Sequence, residues 1–445
     1  MSIESVPGTD LNYFLVTFDE NGKERSDDPD GLMSEKVLET LCSVPVSDVF
    51  LFSHGWKGDI PAAQEQYKKW ICAMAACNND VERIKAIRPG FAPLLVGLHW
   101  PSLPWGDEDF GSQGIAFEVG ATNPLAEMVD RYAKRIANTP LARAALRTIF
   151  EAALDDMAPP SLPNAVRQAY RILDRESGLG SSSVAGFPGD DREPFDPDVA
   201  YANAREMPDS FGQSALSGLL SPLIQLSFWK MKDRARAFGE SGGFRLLSQL
   251  LSASQGKDVR FHLMGHSFGC IAVSSTLAGP QHARLPRPVD SVILIQGALS
   301  LWSFCSSVPG TPGKAGYFHR LFTNNCVAGP IVTTQSEHDT AVGKLYPLAA
   351  GVAGQVVYAP GELPRYGALG AFGARGDGVN AVDLEMLPIG QNYKFMAGNV
   401  YNLESSKVIC HGGGVSGAHS DIAQPEVAHA AWSAAMATVR VPTEG

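Results

Sequence analysis

Short apolar runs alternate along this chain with segments whose apolar residues recur three and four positions apart. The runs at residues 49–53, 92–99 and 259–264 are typical of strands that are buried on both faces of a parallel sheet. Residues 61–77 and 244–252 have the spacing of helices with one apolar face. This alternation predicts an α/β protein with a doubly wound, mostly parallel sheet.

The alternation continues toward both ends of the chain. Residues 12–19 are rich in aromatic and β-branched side chains and precede a Glu-Asn-Gly turn, so they predict a first strand. Further strands are predicted at residues 290–296, 331–335, 382–387 and 394–403, and further helices at 213–238 and 426–439.

The pattern changes between residues 101 and 211. Residues 124–156 and 163–176 predict helices with apolar faces, without strand runs between them. Residues 177–197 are rich in Gly, Ser, Pro and Asp, which predicts a mobile loop. This stretch is therefore predicted to be a helical insertion in the sheet fold.

The insertion divides the chain into an N-terminal part of the core (1–100), the insertion itself (101–211) and a C-terminal part of the core (212–445). Because the insertion follows a predicted strand, it should leave the sheet at the carboxyl ends of parallel strands, where ligands bind. We expect it to act as a cap over a site there. The alternative is that it packs on the outside of the sheet.

Composition and charge narrow the class of protein. A chain of 445 residues, 44% of them apolar, is long enough to bury a large core. The formal charge of −11 argues against nucleic-acid binding, which needs a basic surface, although a local patch can still contact a membrane surface. The N-terminus has no secretory signal, and the apolar stretch at 219–229 is too short to cross a bilayer. A cytoplasmic protein without a transmembrane segment is expected.

Potential metal ligands show no recognisable spacing. The seven cysteines include no CxxC pair, so they predict reduced thiols that behave as small buried hydrophobic side chains. The acidic residues between 190 and 198 lack the spacing of a calcium loop and predict a solvated loop. No cofactor or metal is expected.

The strongest motif is the sequence GHSFG at residues 265–269. It directly follows the apolar strand at 259–264 and precedes an apolar helical run. A GxSxG sequence between a strand and a helix is typical of a nucleophile elbow, in which glycines let neighbouring backbones approach a serine on a tight turn. Ser267 is therefore the candidate nucleophile.

A serine hydroxyl needs a histidine base, and the base needs an acid that orients it. After an elbow of this kind the acid comes next along the chain and the histidine last. His419 lies in the sequence GAHSDI, between the last predicted strand and the closing helix, and is the candidate base. His411, in a Gly-rich turn, is the rival, whereas His429 on the closing helix is predicted to be a packing or surface residue.

The candidate acid is Asp339, in the sequence SEHDTAVG. It closely follows the predicted strand at 331–335, so its carboxylate can reach a histidine loop at the same sheet edge. An aspartate at this point can also cap a helix, and the two roles are compatible. Glu337, Asp377 and Asp383 are the alternatives.

An oxyanion hole requires two backbone N–H groups aimed at the developing negative charge. One is expected from Phe268, the residue after the nucleophile. The other is expected from Trp56, in the turn that follows the apolar run at 49–53. His54 in the same turn is predicted to hold the loop by hydrogen bonds, and His266 is predicted to be a packing residue.

Five segments, VFLFSHGW, LHWPS, LMGHSFG, SEHDTAVG and GAHSDI, together resemble the α/β-hydrolase superfamily. More narrowly, they are similar to a group of bacterial and fungal serine hydrolases of unassigned substrate. The resemblance covers roughly residues 12–100 and 240–440. It implies a triad of Ser267, Asp339 and His419, with oxyanion roles for Trp56 and Phe268.

These residues predict a serine esterase or lipase that cleaves a carboxylic ester of a small molecule or lipid through an acyl-enzyme. The same triad also serves thioesterases, amidases and peptidases, because all of these pass through an acyl-enzyme. A hydrolase-like scaffold that only binds partners is the non-catalytic alternative, since a fold does not fix a function.

Overall fold

A nine-stranded sheet forms the centre of this protein, as seen in a computed structural model. The structure describes residues 3–28, 31–56, 59–102, 124–180, 186–189, 191–206, 218–309, 311, 313–351 and 363–438. The strands are β1 (Ile3–Ser5), β2 (Asn12–Thr17), β3 (Asp48–Ser53), β4 (Pro93–His99), β5 (Arg260–His266), β6 (Ser291–Ile295), β7 (Ile331–Gln335), β8 (Ala381–Glu385) and β9 (Val400–Glu404).

The strand order is β1-β2-β4-β3-β5-β6-β7-β9-β8. The β1–β2 pair is antiparallel, and all other neighbouring pairs are parallel. The predicted α/β fold with a mostly parallel sheet is thus confirmed. Parallel pairing places the carboxyl ends of β3, β5, β6 and β7 along one edge of the sheet, where the candidate residues follow them.

Helices cover both faces of the sheet, and others form a separate cluster beside it. They are α1 (Met33–Ser43), α2 (Ile60–Ala76), α3 (Asn78–Ile87), α4 (Pro124–Arg135), α5 (Pro140–Asp155), α6 (Asn164–Glu176), α7 (Pro197–Glu206), α8 (Ser221–Phe238), α9 (Phe244–Ala253), α10 (Gly269–Ala278), α11 (Arg320–Thr323), α12 (Tyr346–Ala349), α13 (Leu369–Phe372) and α14 (Pro425–Met436).

The continuous apolar run of β3 is explained by burial on both sides. Val49 and Leu51 join the apolar cluster that includes residues of α1, α8, α9 and α10. Phe50 and Phe52 point to the opposite face and join the cluster that includes residues of α2, α3 and α14. A strand with both faces buried has no polar alternation, which is the pattern that the sequence shows.

The helices α4 to α7 share an apolar cluster separate from both faces of the sheet. Phe150 of α5 and Tyr170 of α6 belong to it, and it extends into α8 through Leu226. Trp229, one turn further along α8, belongs instead to the core of the sheet. Helix α8 therefore connects the helical cluster to the sheet, and the cluster reaches past residue 211.

Several predicted boundaries were wrong. The helix predicted over 124–156 is divided into α4 and α5, because the Thr139 side chain accepts a hydrogen bond from the Ala142 N–H and Pro140 occupies the first turn of a new helix. The strand predicted over 394–403 begins only at Val400. The edge strand β1 and the helices α1 and α3 were not predicted.

Parts of four predicted segments lie outside the described residues: 103–123 and 207–211 of the insertion, 181–185 and 190 of the mobile loop, 213–217 of the helix predicted over 213–238, and 439 of the helix predicted over 426–439. In the described parts of the chain, no helix is both long and apolar enough to cross a membrane.

Candidate active site

Ser267 lies on a two-residue turn between β5 and α10. Its φ of 56° falls in the left-handed region, which is uncommon for a residue with a side chain. Hydrogen bonds hold the turn: the Ser267 N–H donates to the Ile295 carbonyl at 3.1 Å, and the Ser267 carbonyl accepts from the Cys270 and Ala298 N–H groups at 3.1 and 3.2 Å. The surrounding backbone therefore imposes the strained conformation.

The two glycines of the GHSFG motif are required by close backbone contacts. A Cβ atom at Gly265 would lie 2.5 Å from the Gly269 carbonyl oxygen. A Cβ atom at Gly269 would lie 2.3 Å from the Ser53 carbonyl oxygen at the end of β3. Strand, turn and helix approach so closely here that neither position has room for a side chain.

Asp339 and His419 are in direct contact. The Nδ1 atom of His419 lies 2.7 Å from Oδ2 of Asp339, and the Asp339 carboxylate is fully buried. Asp339 follows β7, and His419 lies in the loop between β9 and α14, so the two residues come from separate segments. The Ala418 N–H donates to the His338 carbonyl at 2.9 Å, which ties the two loops together beside the pair.

Further donors hold the Asp339 carboxylate in place. Gln296, directly after β6, donates from Nε2 to Oδ2 at 2.8 Å. The Val342 N–H donates to Oδ1 at 3.1 Å, so Asp339 also caps the π-helical turn Ala341–Leu345. A buried carboxylate with these donors is an oriented acceptor for an N–H at His419 Nδ1, and an imidazole held in that tautomer can accept a proton at Nε2.

The His419 loop packs against the residue that precedes the candidate nucleophile. Nε2 of His266 lies 2.9 Å from the His419 carbonyl oxygen, and the two imidazole rings are 4.7 Å apart between centroids. Burial and the nearby His419 lower the pKa of His266 well below its usual value, so its ring is neutral and donates from Nε2. His266 is buried as predicted, and it connects the elbow to the histidine loop.

The loop after β3 borders the elbow on its other side. A Cβ atom at Gly55 would lie only 2.8 Å from Cβ of Ser267, so this loop passes directly over the serine. The Trp56 ring stacks on Phe268 with centroids 5.6 Å apart, and Phe228 of α8 packs edge-on against both rings. The two residues predicted to supply oxyanion N–H groups are therefore in contact through their side chains.

His54 holds this loop in place by hydrogen bonds. Its Nδ1 lies 2.8 Å from the Gly55 carbonyl oxygen, and its Nε2 accepts from the Trp100 N–H at 3.3 Å. Burial, and secondarily the neighbouring His99, lowers the pKa of His54 to about 3, so the ring stays neutral. These contacts agree with the hydrogen-bonding role predicted for His54.

His411, His429 and two of the alternative acids, Asp377 and Asp383, lie in other surroundings. The His411 ring is exposed and lies in a different part of the same loop, 3.4 Å from Asp421. His429 is buried and bound to Asp80 through Nδ1, so it is a packing residue rather than a surface one. Asp383 interacts with Arg375 and Asn402, and the Asp377 carbonyl accepts from Ser306.

Two features near the site were not predicted. Gln296, with a φ of 45°, holds the Asp339 carboxylate, and no local sequence signal distinguishes it from other residues at strand ends. The acidic loop was predicted to be solvated, but Asp191 is buried and accepts a hydrogen bond from the Tyr346 hydroxyl at 2.8 Å. The buried Lys232 donates to the same hydroxyl at 2.6 Å, so Tyr346 joins the two buried side chains in one hydrogen-bonded network.

Searches against protein-family models, curated proteins and solved structures found no match to this chain.

Proposed function

We propose that this protein is a serine hydrolase of the α/β-hydrolase type that cleaves carboxylic esters through an acyl-enzyme on Ser267. One observation carries the proposal: the buried Asp339–His419 pair packs against the residue that precedes a serine on a strained strand–helix turn. These three residue types, in this chain order, form the constellation that activates a serine hydroxyl.

In the proposed reaction, His419 takes the Ser267 proton at Nε2 while the serine oxygen bonds to the ester carbonyl carbon. Asp339 holds the imidazole in the reactive tautomer and stabilises its charged form. The N–H groups of Phe268 and Trp56 are proposed to donate to the oxyanion. His419 then protonates the departing alcohol, and a water molecule releases the acid by the same steps in reverse.

The aromatic surroundings favour an ester with an apolar acyl group. The rings of Trp56, Phe228 and Phe268 pack together beside the elbow and form an apolar surface there. Such a surface suits small-molecule or lipid esters. We further propose that the helical cluster of α4 to α7 acts as the cap of this site, because α8 connects it to Phe228.

The proposal is tested with a series of p-nitrophenyl esters of increasing acyl chain length. The native protein should hydrolyse them, and Ser267→Ala should lose at least a thousandfold in kcat, because only binding and oxyanion effects remain. Ser274→Ala is the matched control, since Ser274 is a buried serine of the adjacent helix α10. It should keep full activity.

Three outcomes separate the alternatives. Turnover of thioesters or amides in preference to esters would assign a different substrate class to the same triad. Activity in Ser267→Ala within tenfold of the native protein would remove the serine from the mechanism. A folded native protein that turns over none of these substrates and reacts with no serine-directed probe would favour the non-catalytic scaffold.

A further inference from the structure

The loop that carries His419 also brings together three side chains with metal-binding chemistry. Cys410, His411 and Asp421 each offer one ligand atom, and the three atoms lie within 4.8 Å of one another. Sγ of Cys410 is 3.5 Å from Nδ1 of His411, and the same Nδ1 is 3.4 Å from Oδ2 of Asp421. In this molecule the cluster is made by the two ends of a single loop.

Two of these separations are compatible with a tetrahedral zinc site. Zinc bonds of about 2.3 Å to sulfur, about 2.0 Å to nitrogen and about 2.1 Å to oxygen place sulfur and nitrogen about 3.5 Å apart. The same bond lengths place nitrogen and oxygen about 3.3 Å apart. The distances of 3.5 Å and 3.4 Å from His411 Nδ1 to Cys410 Sγ and Asp421 Oδ2 are close to these values.

The carboxylate of the cluster is already held in position. Oδ2 of Asp421 accepts from the backbone N–H groups of Cys410 and His411, at 3.1 and 2.8 Å. These bonds hold the carboxylate beside the other two side chains, and an ion bound through Oδ2 would share that oxygen with them. The Asp421 side chain is mostly buried, while that of His411 is exposed, so an ion could enter from solvent.

We propose that Cys410, His411 and Asp421 form a binding site for a single divalent cation of the zinc class. A thiolate, an imidazole and a carboxylate suit zinc or cobalt better than calcium or magnesium, which prefer oxygen ligands alone. On binding, the Cys410 S–H bond is replaced by a sulfur–metal bond and the proton goes to solvent. Water completes the fourth position.

Cobalt provides a direct spectroscopic test that does not depend on enzymatic activity. The full-length protein is reduced, freed of metal with a chelator and titrated with Co²⁺. We expect one equivalent to produce a thiolate-to-cobalt charge-transfer band together with the visible bands of a tetrahedral ion. Zn²⁺ should abolish both sets of bands by displacement.

Substitutions assign the ligands. Cys410→Ser should lose the charge-transfer band, and His411→Ala should weaken cobalt binding at least tenfold. Cys42→Ser is the matched control, because Cys42 is an exposed thiol outside the cluster, and it should leave the titration unchanged. Both ligand side chains are at least partly exposed, so the variants should fold, which circular dichroism verifies.

Three results would overturn the assignment. They are the absence of a charge-transfer band in the native protein, its persistence in Cys410→Ser, and equal cobalt affinity in His411→Ala. The spectra also distinguish this proposal from the proposed hydrolase activity, since a protein that binds cobalt but turns over no ester would refute only the latter.

Discussion

Replacing Asp339 with asparagine tests the proposed triad at the residue that accepts several hydrogen bonds. The carboxylate accepts three hydrogen bonds: Oδ2 from His419 Nδ1 and Gln296 Nε2, and Oδ1 from the Val342 N–H. An amide of the same shape must place its NH₂ group on one of these two sides. If NH₂ faces His419, then Nδ1 must become an acceptor and Nε2 carries the proton, which is the wrong tautomer for a base.

The other orientation of the amide also leaves a buried donor without an acceptor. With NH₂ on the side of Val342, two donors face each other and the helical cap is lost. Leaving a buried donor unsatisfied costs about 1–3 kcal/mol, so either arrangement should lower the free energy of unfolding by about that amount. Loss of the oriented carboxylate in a serine triad lowers kcat by about 10⁴, which corresponds to about 5.4 kcal/mol in activation free energy.

We therefore expect Asp339→Asn to lower kcat for p-nitrophenyl esters by about 10³ to 10⁴, while KM changes much less. Urea unfolding at pH 7 checks that the variant remains folded under assay conditions. Asp377→Asn is the matched control, because Asp377 is one of the alternative acids and lies beside Ser306 instead. A loss below tenfold in Asp339→Asn, or a far greater loss in Asp377→Asn, would refute this assignment.

Three further perturbations test other parts of the structure. Gly55→Ala should lower kcat at least tenfold in the same ester assay, because the added Cβ would lie 2.8 Å from Cβ of Ser267; unchanged kcat would contradict the close approach. Burial lowers the pKa of His54 to about 3 from 6.5, so its contribution to stability is complete above pH 6.5 and is lost as the pH falls toward 3. At pH 5 the loss is about 2 kcal/mol, so urea unfolding at pH 7 and pH 5 should show a smaller difference in His54→Asn than in the native protein. Burial also lowers the pKa of Lys232 from 10.5 to about 7 in the folded protein. Between pH 7 and 10.5 the unfolded chain therefore binds one proton more than the folded protein at this side chain. The free energy of unfolding should rise with pH in that range. Urea unfolding across that range should show a flatter profile in Lys232→Met, and an equal slope in both proteins would contradict the burial argument.

The parts of the site that are local in sequence were accessible to sequence reasoning. The elbow at Ser267 has a strand before it, a helix after it and glycines at the two positions where backbones meet. Chain order then placed Asp339 after β7 and His419 after β9, and a parallel sheet brings those ends to one edge. The alternation of strands and helices predicted the sheet for the same reason.

The remaining features depend on contacts between distant segments. Asp191 and Lys232 both hydrogen-bond to the buried Tyr346 hydroxyl, and nothing near Asp191 in the sequence shows that these residues meet. The cysteines were expected to be buried, yet Cys410 is partly exposed next to His411 and Asp421. The residues that complete these two clusters, Tyr346 for Asp191 and Asp421 for Cys410, lie more than ten positions away in the chain.

Covalent labelling most directly tests the claim that Ser267 is the catalytic nucleophile. The native protein is incubated with a fluorophosphonate and digested, and the modified peptide is identified by mass spectrometry. We predict one adduct per chain, located on Ser267, with labelling slowed at least a hundredfold in His419→Ala because the base no longer activates the serine. Labelling at another residue, or an unchanged rate in His419→Ala, would contradict the account.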